Sequence, residues 1–151
     1  MTGDSVAVMK TGDRVPEFEL PDQTGTVRSL SNLLADGPIA VDTETMGLNP
    51  MRDRLCLVQL STGDGNAHLV QIARGQKSAP NLERLLTNPD VIKLFHFGRF
   101  DIAAMKQAFG VTTAPVWCTK VAAKLIRTFT DRHGLKYLLN ELVGVDVSKQ
   151  Q

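Results

Sequence analysis

Apolar positions along this chain fall into short runs with two periods, two and 3.6 residues, and the elements follow from where each begins and ends. Ile39-Ala40-Val41 leads directly into Asp42-Thr43-Glu44-Thr45-Met46-Gly47-Leu48. Read as a strand, this stretch places Asp42 and Glu44 on one face and Thr43 on the other. Leu55–Ser61 and residues 67–72, separated by Gly63-Asp64-Gly65-Asn66, are predicted to continue it as an antiparallel meander. Pro80 opens a short helix through Leu82, Leu85 and Leu86 that stops near Asn88-Pro89. Residues 91–97 form the next strand, reached through a helix and therefore parallel to the first. The following helix turns Met105, Ala108 and Phe109 inward and ends at Gly110.

Two amphipathic helices complete the pattern. Residues 118–129 are expected to bury Val121, Ala122, Leu125, Ile126 and Phe129, and Leu135–Val143 carries a stripe of Leu135, Leu138, Leu139, Leu142 and Val143. Upstream, residues 12–31 read as a small hairpin about the Asp22 to Gly25 turn, and residues 29–36 as a short helix stopped by Gly37-Pro38. The order of elements gives an α/β fold with a mixed sheet flanked by helices. Residues 1–38 form an N-terminal hairpin and helix, and residues 39–151 the main globular unit.

Composition narrows this picture. A length of 151 residues with 42% apolar and 22% charged residues suits one soluble domain with a sizeable core. The net charge of +1 hides an asymmetry, because eight basic residues (Lys93, Arg99, Lys106, Lys120, Lys124, Arg127, Arg132 and Lys136) face only Asp101 and Asp131 between positions 93 and 136. A polyanion could follow that half. Cys56 and Cys118 sit in apolar settings without a Cys-x-x-Cys spacing, so reduced thiols in a cytoplasmic protein are expected. There is no signal peptide pattern and no apolar run long enough to span a membrane.

The chemistry concentrates at Asp42 and Glu44. Two carboxylates side by side repel, and a hard divalent cation bound through oxygen is the usual neutraliser. Asp101 falls in the first turn of a helix just after a central strand, where the helix dipole favours a negative charge. From there it can face Asp42 and Glu44 across the sheet end as a third ligand.

Five segments in order now carry a resemblance. Asp42-Thr43-Glu44 with Gly47-Leu48, the Leu55 to Leu60 strand, Phe95-His96-Phe97-Gly98-Arg99-Phe100-Asp101, Cys118-Thr119-Lys120 and Asp131-Arg132-His133-Gly134-Leu135-Lys136 closely resemble the ribonuclease D branch of the DEDD exonucleases. The similarity runs from about Ile39 onward. It implies a ribonuclease-H-like fold and stepwise hydrolysis from a 3′ end, with single-stranded or structured RNA as the expected partner and DNA as the alternative. It further implies a two-metal magnesium or manganese site with Asp42, Glu44 and Asp101 as catalytic ligands. Thr45, Met46 and Leu48 would line the terminal-nucleotide slot, with His96, Arg99 and Phe100 beside it and Arg99 as a phosphate contact.

The family's third motif adds a tyrosine and a fourth aspartate, and in relatives it lies beyond the last residue here. The chain is therefore expected to be C-terminally truncated, with a weak second metal and impaired turnover. Tyr137 and Glu141, four apart on one helix face, are the only substitute by spacing. Apolar surface left uncovered on the last helices would favour self-association.

A second resemblance covers roughly Thr11 to Val41, whose Gly-Asp, Pro, Phe, Leu, Pro-Asp, Gly and Leu-Ser order is similar to the opening of peroxiredoxins. After Pro50, however, Arg54 and Leu57 stand where that family's Thr and peroxidatic Cys belong. Besides the exonuclease, two readings stay open: a nucleic-acid-binding remnant without turnover, and a peroxiredoxin-like thiol protein.

Overall fold

The structure is a computed structural model and describes residues 19–21, 27–29 and 37–147. Strands β1 (Glu19–Pro21) and β2 (Val27–Ser29) pair antiparallel with Leu20 opposite Arg28, as the hairpin pattern predicts. The predicted turn at 22–25 and all but Ser29 of the predicted helix at 29–36 lie outside the described residues.

Five strands form the main sheet: β3 (Ile39–Thr45), β4 (Leu55–Ser61), β5 (His68–Gln71), β6 (Lys93–Phe95) and β7 (Val116–Cys118), in the order β5-β4-β3-β6-β7. The β3, β4 and β5 meander is antiparallel, whereas β6 runs parallel to β3 and to β7. The strand β7 has no counterpart in the sequence pattern. Three residues with Val116 and Trp117 both exposed give no alternation to read, and residues 118–129, expected to be one helix, instead start with the end of this strand.

Helices α1 (Pro80–Thr87) and α2 (Arg99–Phe109) cover one face of the sheet. Pro80 occupies the first turn of α1, where its missing N–H has no intrahelical partner to lose, and Glu83 reaches back to accept the Ala79 N–H at 2.6 Å. Leu82, Leu85 and Leu86 then pack with Ile39, Val58 and Leu60 from the strands. Each such fully buried side chain is worth roughly 1.5–3 kcal/mol. Gly110 ends α2 with φ 76°, a left-handed cap that glycine adopts without strain.

The last two helices, α3 (Thr119–Ile126) and α4 (Leu135–Val143), depart from expectation. Of the five residues predicted to be buried in the first, Leu125, Ile126 and Phe129 are largely exposed, and only Ala123 of that helix is fully buried. In α4 only Leu138 is buried. Their apolar stripes enclose an open cleft of about 540 Å³ floored by residues such as Ala123, Leu138 and Leu139. Among the described residues, Trp117 of β7 is the one lining residue from outside these helices and the segment between them. Periodicity placed both helices, the first too long at its end (Phe129 against Ile126), but not their burial.

The basic half also shrinks. Lys93 is fully buried, Arg127 turns inward to pair with Glu141, and Lys136 pairs with Asp146 at 3.5 Å. Arg99, Lys106, Lys120, Lys124 and Arg132 have no salt-bridge partner among the described residues. Among the described residues, no helix is long and apolar enough to cross a membrane.

Candidate active site

Strand β3 is central because antiparallel β4 and parallel β6 both hydrogen-bond to it. Its alternation is strict: Ile39, Val41 and Thr43 are buried, while Ala40, Asp42 and Glu44 point to the open face. The pairing with β4 then shifts, Glu44 standing opposite Leu57 but Thr45 opposite Leu55. Such a bulge bends the strand and re-aims the side chains beside it. It falls directly after Glu44.

Asp42 lies beside two other acids. Burial, then the charge of Asp101 and finally that of Glu44, push its carboxyl above the ordinary 3.8, opposed only by the Thr43 main-chain N–H. Asp101 comes from the first turn of α2 and is 8% exposed. Its Oδ1 accepts a 2.6 Å hydrogen bond from the Thr43 hydroxyl, which is itself buried. Thr43 thus joins the β3 motif to the α2 motif across 58 residues of sequence. Sequence reasoning placed Thr43 on the opposite face correctly, but gave it no role because an inward threonine on a strand is ordinarily packing.

Replacing Thr43 with valine keeps shape and removes the donor. The expected result is a drop of about tenfold in divalent-metal affinity, read by titration calorimetry with manganese, with serine restoring most of it. Equal affinity for wild type and Thr43→Val would show that the hydroxyl does not orient Asp101.

The loop after β3 is stapled in place. Asp53 accepts the Asn49 N–H at 3.0 Å and pairs with Arg52 at 2.7 Å, and the Arg52 guanidinium holds the Asp53 carboxyl down at about 2. Gly47 permits this, since a Cβ there would stand 2.3 Å from Asp53 Oδ2. The Thr45 hydroxyl donates to the Gly47 carbonyl at 2.5 Å and is spent on the loop. Met46 and Leu48 are 69% and 88% exposed.

On the other side of Asp42 an open cavity of about 350 Å³ is lined by Asp42, Leu94, His96, Thr119 and Leu135. His96 Nδ1 lies 2.9 Å from Thr119 Oγ1, which is 3.2 Å from the Phe95 carbonyl. Burial and then the Lys120 charge push the His96 imidazole below its usual range, against the His133 carbonyl that holds it up. Arg99 is exposed at the start of α2, and Phe100 is half-buried. Gly98 is buried against Phe95, whose Cβ would lie 2.5 Å from any Cβ added there, so β6 can pass into α2 only through glycine.

Cys118 closes the turn. Burial pushes its thiol up, but main-chain N–H groups of Val121, Gly98, Phe97 and Lys120 outweigh that and hold it below its ordinary value. Both cysteines are free thiols, as expected. The sequence-based substitute pair is otherwise engaged: Glu141 binds Arg127, and Tyr137 carries Arg132 against its ring at 5.5 Å. Neither is among the groups whose charge reaches Asp42.

Among the described residues, no three acidic, histidine or cysteine side chains converge closely enough to hold one ion. The donor set at the end of β3 nevertheless has the right chemistry for a hard divalent cation. It is all oxygen, and Asp42 already sits in the negative field of Asp101 and Glu44.

A family model described as 3′-5′ exonuclease matches residues 19–151. The chain belongs to this 3′-5′ exonuclease family. A ribonuclease D of Acidiphilium cryptum is 36% identical over 142 residues, covering 93% of this chain and 36% of the relative. Brucella melitensis NrnC with bound Mg2+ is 54% identical with a TM-score of 0.74, over 80% of this chain and 60% of that one. The same nuclease bound to pGG is 55% identical with a TM-score of 0.76, over 80% and 59%. The mixed sheet is thus the ribonuclease-H-like fold of the DEDD exonucleases. The chain spans about a third of the length of the ribonuclease D relatives. A protein of Mycobacterium tuberculosis described as a peroxiredoxin is 70% identical over 33 residues, 22% of this chain, in keeping with the second resemblance.

Proposed function

We propose that the chain is a divalent-metal-dependent exonuclease that shortens RNA from its 3′ end. The observation that carries this is the charge of Asp101 and Glu44 acting on Asp42, with Asp101 held by the hydroxyl of Thr43, the residue between Asp42 and Glu44. Asp42, Glu44 and Asp101 would hold magnesium or manganese, which when bound supplies an activated water and charge stabilisation for in-line displacement at phosphorus. With three carboxylates at the site, a second ion would be held more weakly than the first.

The remaining residues bind and orient. Thr43 fixes one oxygen of Asp101 and leaves the other for the site. Glu44, exposed on the β3 face, is free to rotate onto the same ion. Leu48 and Met46 stand out from the stapled loop to pack against the terminal base, and Arg99 meets a backbone phosphate. The complex of Brucella NrnC with pGG supports short 5′-phosphorylated oligonucleotides as a substrate class.

The open arrangement of the three acids favours one second reading, binding of nucleic acid without turnover. Digestion of 5′-labelled single-stranded RNA, and of pGG, with manganese or with EDTA separates the two. A ladder shortening from the 3′ end that EDTA abolishes is the expected result. Intact RNA with manganese, together with a measurable binding constant, would replace the catalytic reading with the second.

A further inference from the structure

The turn between β6 and α2 is strained and locked. Phe97 has φ 68°, the sole non-glycine residue among those described with a positive φ, and such a conformation persists only where its surroundings enforce it. Three contacts do so: the Phe97 N–H donates to Cys118 Sγ at 3.1 Å, His96 meets Thr119, and Thr119 meets the Phe95 carbonyl. Core packing does not account for the strain, because Phe97 is 49% exposed. What the turn achieves is to place the Phe97 ring under the Lys120 ammonium, 4.2 Å from its centroid. That ammonium has no ion-pair partner among the described residues.

The sheet register locates this pair. Ala40 stands beside Leu94, and Phe95 beside Cys118. Just beyond those paired rows, Asp42, His96 and Thr119 all line the cavity, and Lys120 follows Thr119 in the first turn of α3. Lys120 itself is not among the cavity's lining residues, so its ammonium stands beside the Asp42 level rather than on it, which suits the adjacent phosphate. Its charge reaches into the cavity, as its effect on His96 shows.

We propose that Lys120, held in position by the Phe97 ring, binds the backbone phosphate next to the scissile one, or the 5′-phosphate when the substrate is a dinucleotide. The inference rests on the exonuclease reading for which phosphate is scissile. Phe97 is a positioning residue: it fixes a flexible side chain in advance, so that less freedom is lost on binding.

The test is RNA binding by the whole chain in EDTA, with a fluorescent single-stranded RNA at several salt concentrations. Lys120→Gln is expected to weaken binding roughly tenfold at low salt and to lower the slope of log affinity against log salt by about 0.7, one phosphate contact. Lys120→Arg should keep the slope. Phe97→Gly supplies the discriminating variant, since glycine accepts φ 68° without strain: its thermal midpoint should equal or exceed wild type while affinity falls several-fold. An unchanged slope in Lys120→Gln, or wild-type affinity in Phe97→Gly, would overturn the proposal. Normal slopes without cleavage would remove the catalytic reading and keep this site, unchanged variants with working cleavage would do the reverse, and wild-type protein that binds no RNA would remove both.

Discussion

Asp42→Ala should abolish metal-dependent shortening of RNA, with a rate loss of about a thousandfold or more. Several kcal/mol of charge stabilisation depend on the ion that Asp42 helps to hold, and each 1.36 kcal/mol is about a factor of ten in rate. RNA binding in EDTA should change little, since Asp42 contributes no positive charge. Stability should move the other way. The Asp42 carboxyl is raised above 3.8, so the folded state binds its proton more tightly than the unfolded chain does. Its stabilising share is fully present below 3.8 and is lost as pH rises through the raised value, leaving a repelled charge at neutral pH. In EDTA at neutral pH the variant should therefore melt at or above the wild-type temperature, an advantage that disappears on acidification. Metal binding by wild type should weaken as pH falls through the same raised value. A variant that still trims RNA at near wild-type rate would sink the assignment of Asp42 to the metal.

Lys93→Ala should be among the most destabilising single changes in the chain, by about 3 kcal/mol or more in urea unfolding. Lys93 opens β6 on the buried side of the sheet, and its ammonium donates to the Asn88 carbonyl at 2.7 Å and the Ala114 carbonyl at 2.5 Å. It thereby ties the segment after α1 to the segment before β7. Alanine leaves both carbonyls without that donor and opens a void beside Ile39 and Val116, the strand neighbours of Lys93. Burial depresses the Lys93 ammonium to about 8 from 10.5. The unfolded state thus holds more protons between those values, and wild-type stability should rise across that interval of pH, a slope that Lys93→Ala flattens. A loss below about 1 kcal/mol would show that the two carbonyls find water instead.

Lys93 also shows how sequence can mislead. In the chain it is one of eight cations in a basic half, and nothing in Val91-Ile92-Lys93-Leu94-Phe95 marks it as different from Arg99 or Lys124. Only the carbonyls of Asn88 and Ala114, 5 and 21 residues away, make its burial tolerable. Trp117, which the sequence pattern left unassigned, sits 59% exposed on the outermost strand, where no further strand covers it among the described residues.

What the sequence by itself determined is whatever depends on local period and residue chemistry. The alternation through Ile39–Thr45 put Asp42 and Glu44 on one face and Thr43 on the other. Turn residues and leucine spacing gave the meander, the helix from Pro80 and the bounds Leu135–Val143, and the ordered motifs gave the exonuclease family. What only the tertiary structure decided is which groups meet across long separations. Thr43 reaches Asp101, Phe97 lies beneath Lys120, and the stripes of α3 and α4 remain largely open. The physical reason is that a period is set by each residue's own backbone, whereas a contact or a burial is set by what a distant part of the chain brings to it.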